Sequence, residues 1–217
     1  MSIVPIVPAI IPKSREEIVD LAARLAWSKE VQLDLVDGQF VSSVCWPYDP
    51  IGEPISVKSQ LDPFTLEVDL MVVQPLQAAV DWVIAGADML VFHVETLSLE
   101  NFKNFCEGTH ISVGVSAHGE TSLDTLSEYA EYADYIQLMG IYEIGAQGLP
   151  FDEAVLGKIE ELKRRFPSKM ISIDGSVNKD TIKHLRNAGA DRFICGSAIT
   201  LQDDPQAAHA ALQALIN

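Results

Sequence analysis

Short apolar runs alternate along the chain with longer stretches whose apolar residues recur at helical spacing. Runs rich in β-branched and aromatic residues predict strands, whereas the 3.6-residue period predicts amphipathic helices. We expect strands near residues 4–10, 31–36, 65–71, 89–94, 111–116, 135–141, 170–174 and 192–196. We expect helices near residues 15–27, 53–60, 75–86, 98–107, 122–132, 152–165, 178–188 and 204–216.

This regular alternation of strand and helix favours an α/β protein with a parallel sheet. Helix boundaries support it, since Ser14 with Glu17 forms a capping box and Asn178 is a good N-cap. The tetrapeptide AGAD occurs at 85–88 and again at 188–191, each time between a helix and a strand. Eight βα units predict a TIM barrel, a (β/α)8 fold, as a single domain over residues 1–217. An open doubly wound sheet is the competing architecture.

The composition of the chain disfavours several classes of function. The 217 residues carry a formal net charge of -16, which disfavours binding to nucleic acid or to an anionic membrane surface. No apolar stretch is long enough and free enough of proline to predict a spanning helix, and the first residues lack a basic leader. Three scattered cysteines, Cys45, Cys106 and Cys195, are typical of reduced thiols. We expect a cytoplasmic protein.

Polar side chains recur on one face of four predicted strands. Asp34, Asp69, His93 and Asp174 each alternate with apolar neighbours, so that strand parity places them opposite the residues that pack on helices. We expect these four side chains to point into the barrel near the carboxyl ends of the strands, where barrel enzymes place their active sites. A carboxylate costs several kcal/mol to bury unless a partner or a function accounts for it.

At each of these positions a purely structural role is an alternative to a functional one. Asp174 could be a turn aspartate before Gly175, and Asp34 could belong to a buried ion pair. His93 could orient a carboxylate or be a core histidine with its hydrogen bonds satisfied. Asp37, which precedes a glycine, is interpreted as a turn residue.

Six segments share their order and spacing with one known family, and together they span nearly the whole chain. They are QLDLVDGQFV, EVDLMV, FHVE, IGAQG, IDGS and AGADRFICGSAI. In these motifs the chain resembles the ribulose-phosphate 3-epimerase family. The resemblance implies a (β/α)8 barrel that binds a pentulose phosphate and inverts the carbon next to the ketone. It also implies two proton-transfer aspartates, which correspond here to Asp34 and Asp174.

The resemblance further implies a divalent metal held by these two aspartates and two histidines. The histidine positions are occupied here by Gln32 and Asp69, so the candidate ligands are Asp34, Asp69, Asp174 and Gln32. The expected cofactor is Mg²⁺, Mn²⁺ or Zn²⁺, and an all-oxygen set suits Mg²⁺, Mn²⁺ or Ca²⁺ better than Zn²⁺. Without a metal, Asp34 and Asp69 would repel, which would raise a pKa or require a partner such as a lysine.

Small residues after three strands predict a phosphate site, because they let backbone N–H groups approach an anion. By resemblance, two methionines border the sugar, and Ala9 replaces a serine that touches substrate. The candidate substrate-binding residues are Gly145, Ala146, Gln147, Gly175, Ser176, Gly196, Ser197, Met71 and Met139.

Three functions remain open at this point. The first is an epimerase of a ketose phosphate, because inversion needs a base on one face of the carbon and an acid on the other. The second is a diverged barrel that binds a phosphorylated sugar without epimerising it. The third is a lyase or decarboxylase on the same fold, although Val36 stands where such relatives carry a lysine. The expected partner is a small sugar phosphate, and we expect a homo-oligomer.

Overall fold

The strands are buried on both faces, as in a sheet that has helices outside and side chains inside. The computed structural model describes residues 6–216. Its strands are β1 (Ile6–Ile10), β2 (Glu30–Val36), β3 (Thr65–Met71), β4 (Met89–His93), β5 (Ser112–Ser116), β6 (Tyr135–Met139), β7 (Met170–Asp174) and β8 (Arg192–Cys195). Each strand pairs in parallel with the next, and β8 pairs with β1. The closed eight-stranded barrel confirms the predicted single-domain (β/α)8 fold. Residues 4 and 5 of the first predicted strand lie outside the described residues.

Helices connect successive strands around the barrel. They are α1 (Arg15–Arg24), α2 (Lys58–Leu61), α3 (Pro75–Ala85), α4 (Leu99–Gly108), α5 (Leu123–Ala130), α6 (Ala154–Arg165), α7 (Ile182–Ala188), α8 (Ser197–Thr200) and α9 (Pro205–Ile216). Most boundaries lie within about three residues of the predicted ones, which is the usual accuracy for helix ends. No helix in this described part of the chain is long and apolar enough to cross a membrane.

Two predicted helices differ from the structure. The segment predicted as 53–60 is a 3-10 turn at Pro54–Val57 followed by the short α2. The helix predicted at 178–188 begins only at Ile182, because Asn178 closes a turn instead of capping the helix. The side-chain oxygen of Asn178 accepts the N–H of Asp180, and the Thr181 hydroxyl donates to the carbonyl of Ser176.

Two apolar regions flank the strands. Every second residue of a strand faces the helices and belongs to the main core between strands and helices. Examples are Leu33, Leu35, Ile171 and Ile173. A small second cluster of Val7, Ala9 and Ile194 lies apart from it. The cysteines form no disulfide, as their spacing predicts.

A charged group fills the barrel interior toward the amino ends of the strands. Arg192 donates to Glu67 at 2.6 Å and to Glu30 at 3.2 Å, and the Tyr135 hydroxyl also donates to Glu67. Gly114 leaves room for this tyrosine, because a Cβ there would lie 2.4 Å from the Tyr135 ring. The barrel is therefore closed by side chains at this end, and its opposite end is open for a ligand.

Candidate active site

Three carboxylates meet inside the barrel where the strands end. Asp34 on β2 is the register partner of Asp69 on β3, and Asp174 is the last residue of β7. One oxygen of each lies within 4.8 Å of the others, and the three residues are only 5%, 0% and 8% exposed. Strand parity predicts that all three point inward, and closure of the barrel brings them together.

Amide and imidazole groups surround these carboxylates. The Nε2 of Gln32 donates to Asp34 Oδ1 at 2.7 Å and to Asp174 Oδ2 at 3.3 Å. Asp69 is held on both oxygens, by His93 Nε2 at 2.9 Å and by Gln137 Nε2 at 2.8 Å.

The sequence left two roles open for His93 and missed Gln137. His93 contacts a carboxylate, which favours the orienting role over a satisfied core histidine. Gln137 was missed, although its inward position two residues before Met139 on β6 was a usable signal. The partners of Asp69 are thus a histidine and an amide, whereas the sequence left open a raised pKa or a partner such as a lysine.

Burial and mutual repulsion change the acidity of the site. Burial, the charge of Asp174 and that of Asp69 raise the pKa of Asp34 well above its ordinary value. Burial and the charge of Asp69 raise the pKa of Asp174 from 3.8 to about 7. Burial by itself would lower the pKa of His93, but the charge and hydrogen bond of Asp69 outweigh it and raise that pKa. Near neutral pH the site therefore favours a protonated carboxyl beside an ionised one.

The same cluster fits a divalent cation. Three carboxylates converge with their ligand atoms close together, and the Oε1 of Gln32 is buried without a hydrogen-bond partner. Oxygen ligands of this kind suit hard divalent cations. In the observed rotamer, however, Gln32 turns its Nε2 toward the carboxylates, so the amide would have to rotate to act as a ligand.

A cavity of about 380 Å³ lies above the carboxylates. Asp34 and Asp174 line it, whereas Asp69 and Gln32 are fully buried and do not. All nine predicted substrate-binding residues also line it: Gly145, Ala146, Gln147, Gly175, Ser176, Gly196, Ser197, Met71 and Met139. The volume suits a small metabolite.

The loops around the cavity adopt conformations that expose the backbone. Gly145 and Gly175 have φ values of 89° and 94°. Ser176 also has a positive φ, 50°, and it is the only such non-glycine among residues 6–216. Ala146 is not among these residues, so its φ is not positive. A non-glycine held at positive φ is uncommon away from functional loops.

Loops from opposite sides of the barrel meet at Gly145, which lines the cavity. The Ser43 hydroxyl, in the loop after β2, donates to the carbonyl of Gly145 in the loop after β6. The Nε2 of Gln147 reaches the carbonyl of Ala9 at 3.4 Å, and a Cβ at Gly196 would overlap this amide. Gln147 thus covers the end of β1, where the resemblance places a serine.

Comparison with known proteins agrees with this geometry. The model of the "Ribulose-phosphate 3 epimerase family" matches residues 4–200. A ribulose-phosphate 3-epimerase of Mycobacterium tuberculosis is 30% identical over 215 residues, covering 96% of this chain and 91% of that protein. One of Bacillus subtilis is 31% identical over 183 residues, covering 80% of this chain and 81% of that protein.

Solved structures share the fold at lower identity. A crystal structure of 3-hexulose-6-phosphate synthase matches with a TM-score of 0.72 at 21% identity, covering 99% of this chain and 100% of that one. KGPDC from Streptococcus mutans in complex with D-R5P matches with a TM-score of 0.75 at 15% identity, covering 97% and 96%. The barrel, the placement of the aspartates and the family match over most of the sequence lead to one conclusion: this chain belongs to the ribulose-phosphate 3 epimerase family.

Proposed function

We propose that the protein is an epimerase of a ketose phosphate, in which Asp34 and Asp174 transfer the protons. The observation that supports this most directly is that both carboxylates line one cavity, beneath loops suited to phosphate. Family membership makes an isomerase the leading reaction class.

The proposed reaction needs two carboxyl groups in opposite protonation states. One ionised aspartate removes the proton next to the ketone, and the electron pair of that C–H bond forms the carbon–carbon double bond of an enediolate. The other aspartate, protonated at the start, returns a proton to the same carbon from the opposite face, and the ketone re-forms. The raised pKa values of Asp34 and Asp174 support this pairing, because one of them can hold a proton near neutral pH.

The phosphate group is proposed to bind the backbone of the three loops. Gly145, Gly175 and Gly196 let the main chain approach the ligand, and no lysine or arginine lines the cavity among the described residues. Backbone N–H groups can hold an anion without a basic side chain, so the net charge of -16 is no obstacle to binding.

A divalent metal is part of the proposal. Asp34, Asp69 and Asp174 would hold it, with Gln32 as a fourth ligand through Oε1. We favour Mg²⁺ or Mn²⁺ over Zn²⁺ because every donor atom is oxygen. When bound, the cation would stabilise the negative oxygen of the enediolate.

Two alternatives keep some support. A barrel that binds without epimerising is suggested by Gln32 and Asp69 at the histidine positions and by Ala9. A lyase or decarboxylase is suggested by the folds that match at low identity. The lyase is less well supported, because Val36 stands where such relatives carry a lysine and no lysine lines the described cavity.

An assay of the purified protein on ketopentose and ketohexose phosphates, with and without Mn²⁺, separates these functions. We expect inversion next to the ketone together with exchange of that proton for solvent deuterium. Asp34→Asn and Asp174→Asn should each abolish inversion. The control is Asp62→Asn, because Asp62 is a 55%-exposed side chain outside the cavity. Full inversion in either active-site variant would exclude the two-aspartate mechanism.

The expected homo-oligomer and the cytoplasmic location stay predictions. Light scattering coupled to size exclusion tests the first, and a mass of one chain would contradict it.

A further inference from the structure

We propose that Gln32 is a positioning residue that holds the two proton-transfer aspartates at a fixed separation. One aspartate can then remove the proton from one face of the substrate carbon while the other returns a proton to the opposite face. This inference rests on the proposed epimerase function. It concerns the amide nitrogen of Gln32 in the observed rotamer, since ligation through Oε1 would require the amide to rotate and would replace these hydrogen bonds.

One amide group connects both carboxylates. The Nε2 of Gln32 carries two hydrogens and lies 2.7 Å from Asp34 Oδ1 and 3.3 Å from Asp174 Oδ2. Within residues 6–216, no other side chain donates to both of these aspartates. Because β2 and β7 are not neighbouring strands, no hydrogen bonds between these strands fix the distance between Asp34 and Asp174.

The orientation of the amide follows from its surroundings. If the group were rotated, Oε1 would face two carboxylate oxygens and repel them. Gln32 is fully buried, so water does not compete for these hydrogen bonds. Its Oε1 has no partner, which indicates that the contact with the aspartates decides the rotamer.

The contact with Gln32 uses one oxygen of each carboxylate. Asp34 is held through Oδ1 and Asp174 through Oδ2, and Asp174 also has a backbone hydrogen bond from Gly175. We assign proton exchange with the substrate to the oxygens that Gln32 does not contact, Asp34 Oδ2 and Asp174 Oδ1. Each carboxylate keeps its hydrogen bond to Gln32 whether it is charged or protonated. The distance between the two groups therefore need not change during turnover.

Loss of this donor should separate proton removal from inversion. A carboxylate that stays near its own face still removes the proton and exchanges it with solvent. If the opposite carboxyl has moved, the proton returns from the first face, which gives exchange without inversion. Phosphate binding should not change, because Gly145, Gly175 and Gly196 line the cavity and Gln32 does not.

The test compares Gln32→Met with Gln77→Met, without added metal, on a sugar phosphate that the wild type epimerises under the same conditions. Both variants lose one glutamine amide that donates to an aspartate, but Gln77 lies on α3 and donates to Asp81, outside the cavity. We expect Gln32→Met to raise the ratio of deuterium exchange to inversion about tenfold or more, as befits a lost hydrogen bond to a charged group. Its KM should remain that of the wild type while kcat for inversion falls. Gln77→Met should keep the wild-type ratio.

Crystal structures of the two variants provide a readout that does not depend on activity. We expect the Asp34 and Asp174 carboxylates to move apart in Gln32→Met and to keep their positions in Gln77→Met. An unchanged ratio or an unchanged carboxylate separation in Gln32→Met would overturn the proposal. If the wild type neither exchanges nor inverts any substrate, the epimerase function fails, and the structures alone then decide whether Gln32 positions the aspartates.

Discussion

Replacing Arg192 with methionine should strongly destabilise the fold, because it leaves a carboxylate buried without its cation. Arg192 is 1% exposed, and its Nη1 donates to Glu67 at 2.6 Å inside the barrel. Methionine keeps most of the apolar stem but removes the charge and the donors. Glu67, which is fully buried, would then keep only the hydroxyl of Tyr135 as a side-chain donor.

The structure sets the size of the effect. Removing one partner of a fully buried ion pair costs about 3–5 kcal/mol, whereas an exposed pair contributes about 0–1 kcal/mol. Arg192 and Glu67 belong to the first class. A matched change in the second class is Arg164→Met, since Arg164 pairs with Glu161 but is 72% exposed. The expected difference between the two variants is therefore at least about 2 kcal/mol, a large part of the stability of a typical domain.

Urea unfolding at neutral pH measures both variants, provided that the m-value stays constant. A third variant, Glu67→Gln in the Arg192→Met background, should recover part of the lost stability, because it removes the unpaired charge. The reasoning would be refuted if Arg192→Met cost no more than Arg164→Met, or if neutralising Glu67 recovered nothing.

Three further predictions follow from the site and its loops. Asp174→Asn should stabilise chelator-treated protein above neutral pH. Burial and neighbouring carboxylates raise the pKa of Asp174 from 3.8 to about 7. The folded wild type therefore holds this proton more tightly than the unfolded chain, and its free energy of unfolding falls as the pH rises from about 4 to about 7. The gain should grow from near zero at pH 4 to at most about 4 kcal/mol at pH 8, and a gain that is constant with pH in thermal or urea unfolding would contradict it. Gly114→Ala should cost about 1–3 kcal/mol in urea unfolding, since its Cβ would overlap the Tyr135 ring; Gly157→Ala, which meets nothing, is the control. Ser43→Ala should raise KM and leave kcat unchanged, because it removes the hydroxyl that ties the loop after β2 to Gly145 at the cavity. The control, Ser42→Ala, should change neither constant in steady-state kinetics.

Much of the fold was readable from local pattern. The strand positions follow from short runs rich in β-branched and aromatic residues, and alternation along these strands places Asp34, Asp69 and Asp174 inside. The errors arose where local signals compete. Asn178 is a good helix cap by type, yet its side chain closes a turn and the helix starts later. Such polar side chains can satisfy either arrangement, and only the surrounding chain decides between them.

The amino-acid sequence by itself determined which side chains face the barrel interior, because alternation along a strand depends only on position. The tertiary structure decided which of them meet. Closure of the barrel brings Gln32 to both Asp34 and Asp174 and gives Asp69 a histidine as its partner. It also decided the acidity of the site, since the raised pKa values arise from burial and from charges on separate strands. Distances across the barrel depend on all eight strands together, so no local pattern could specify them.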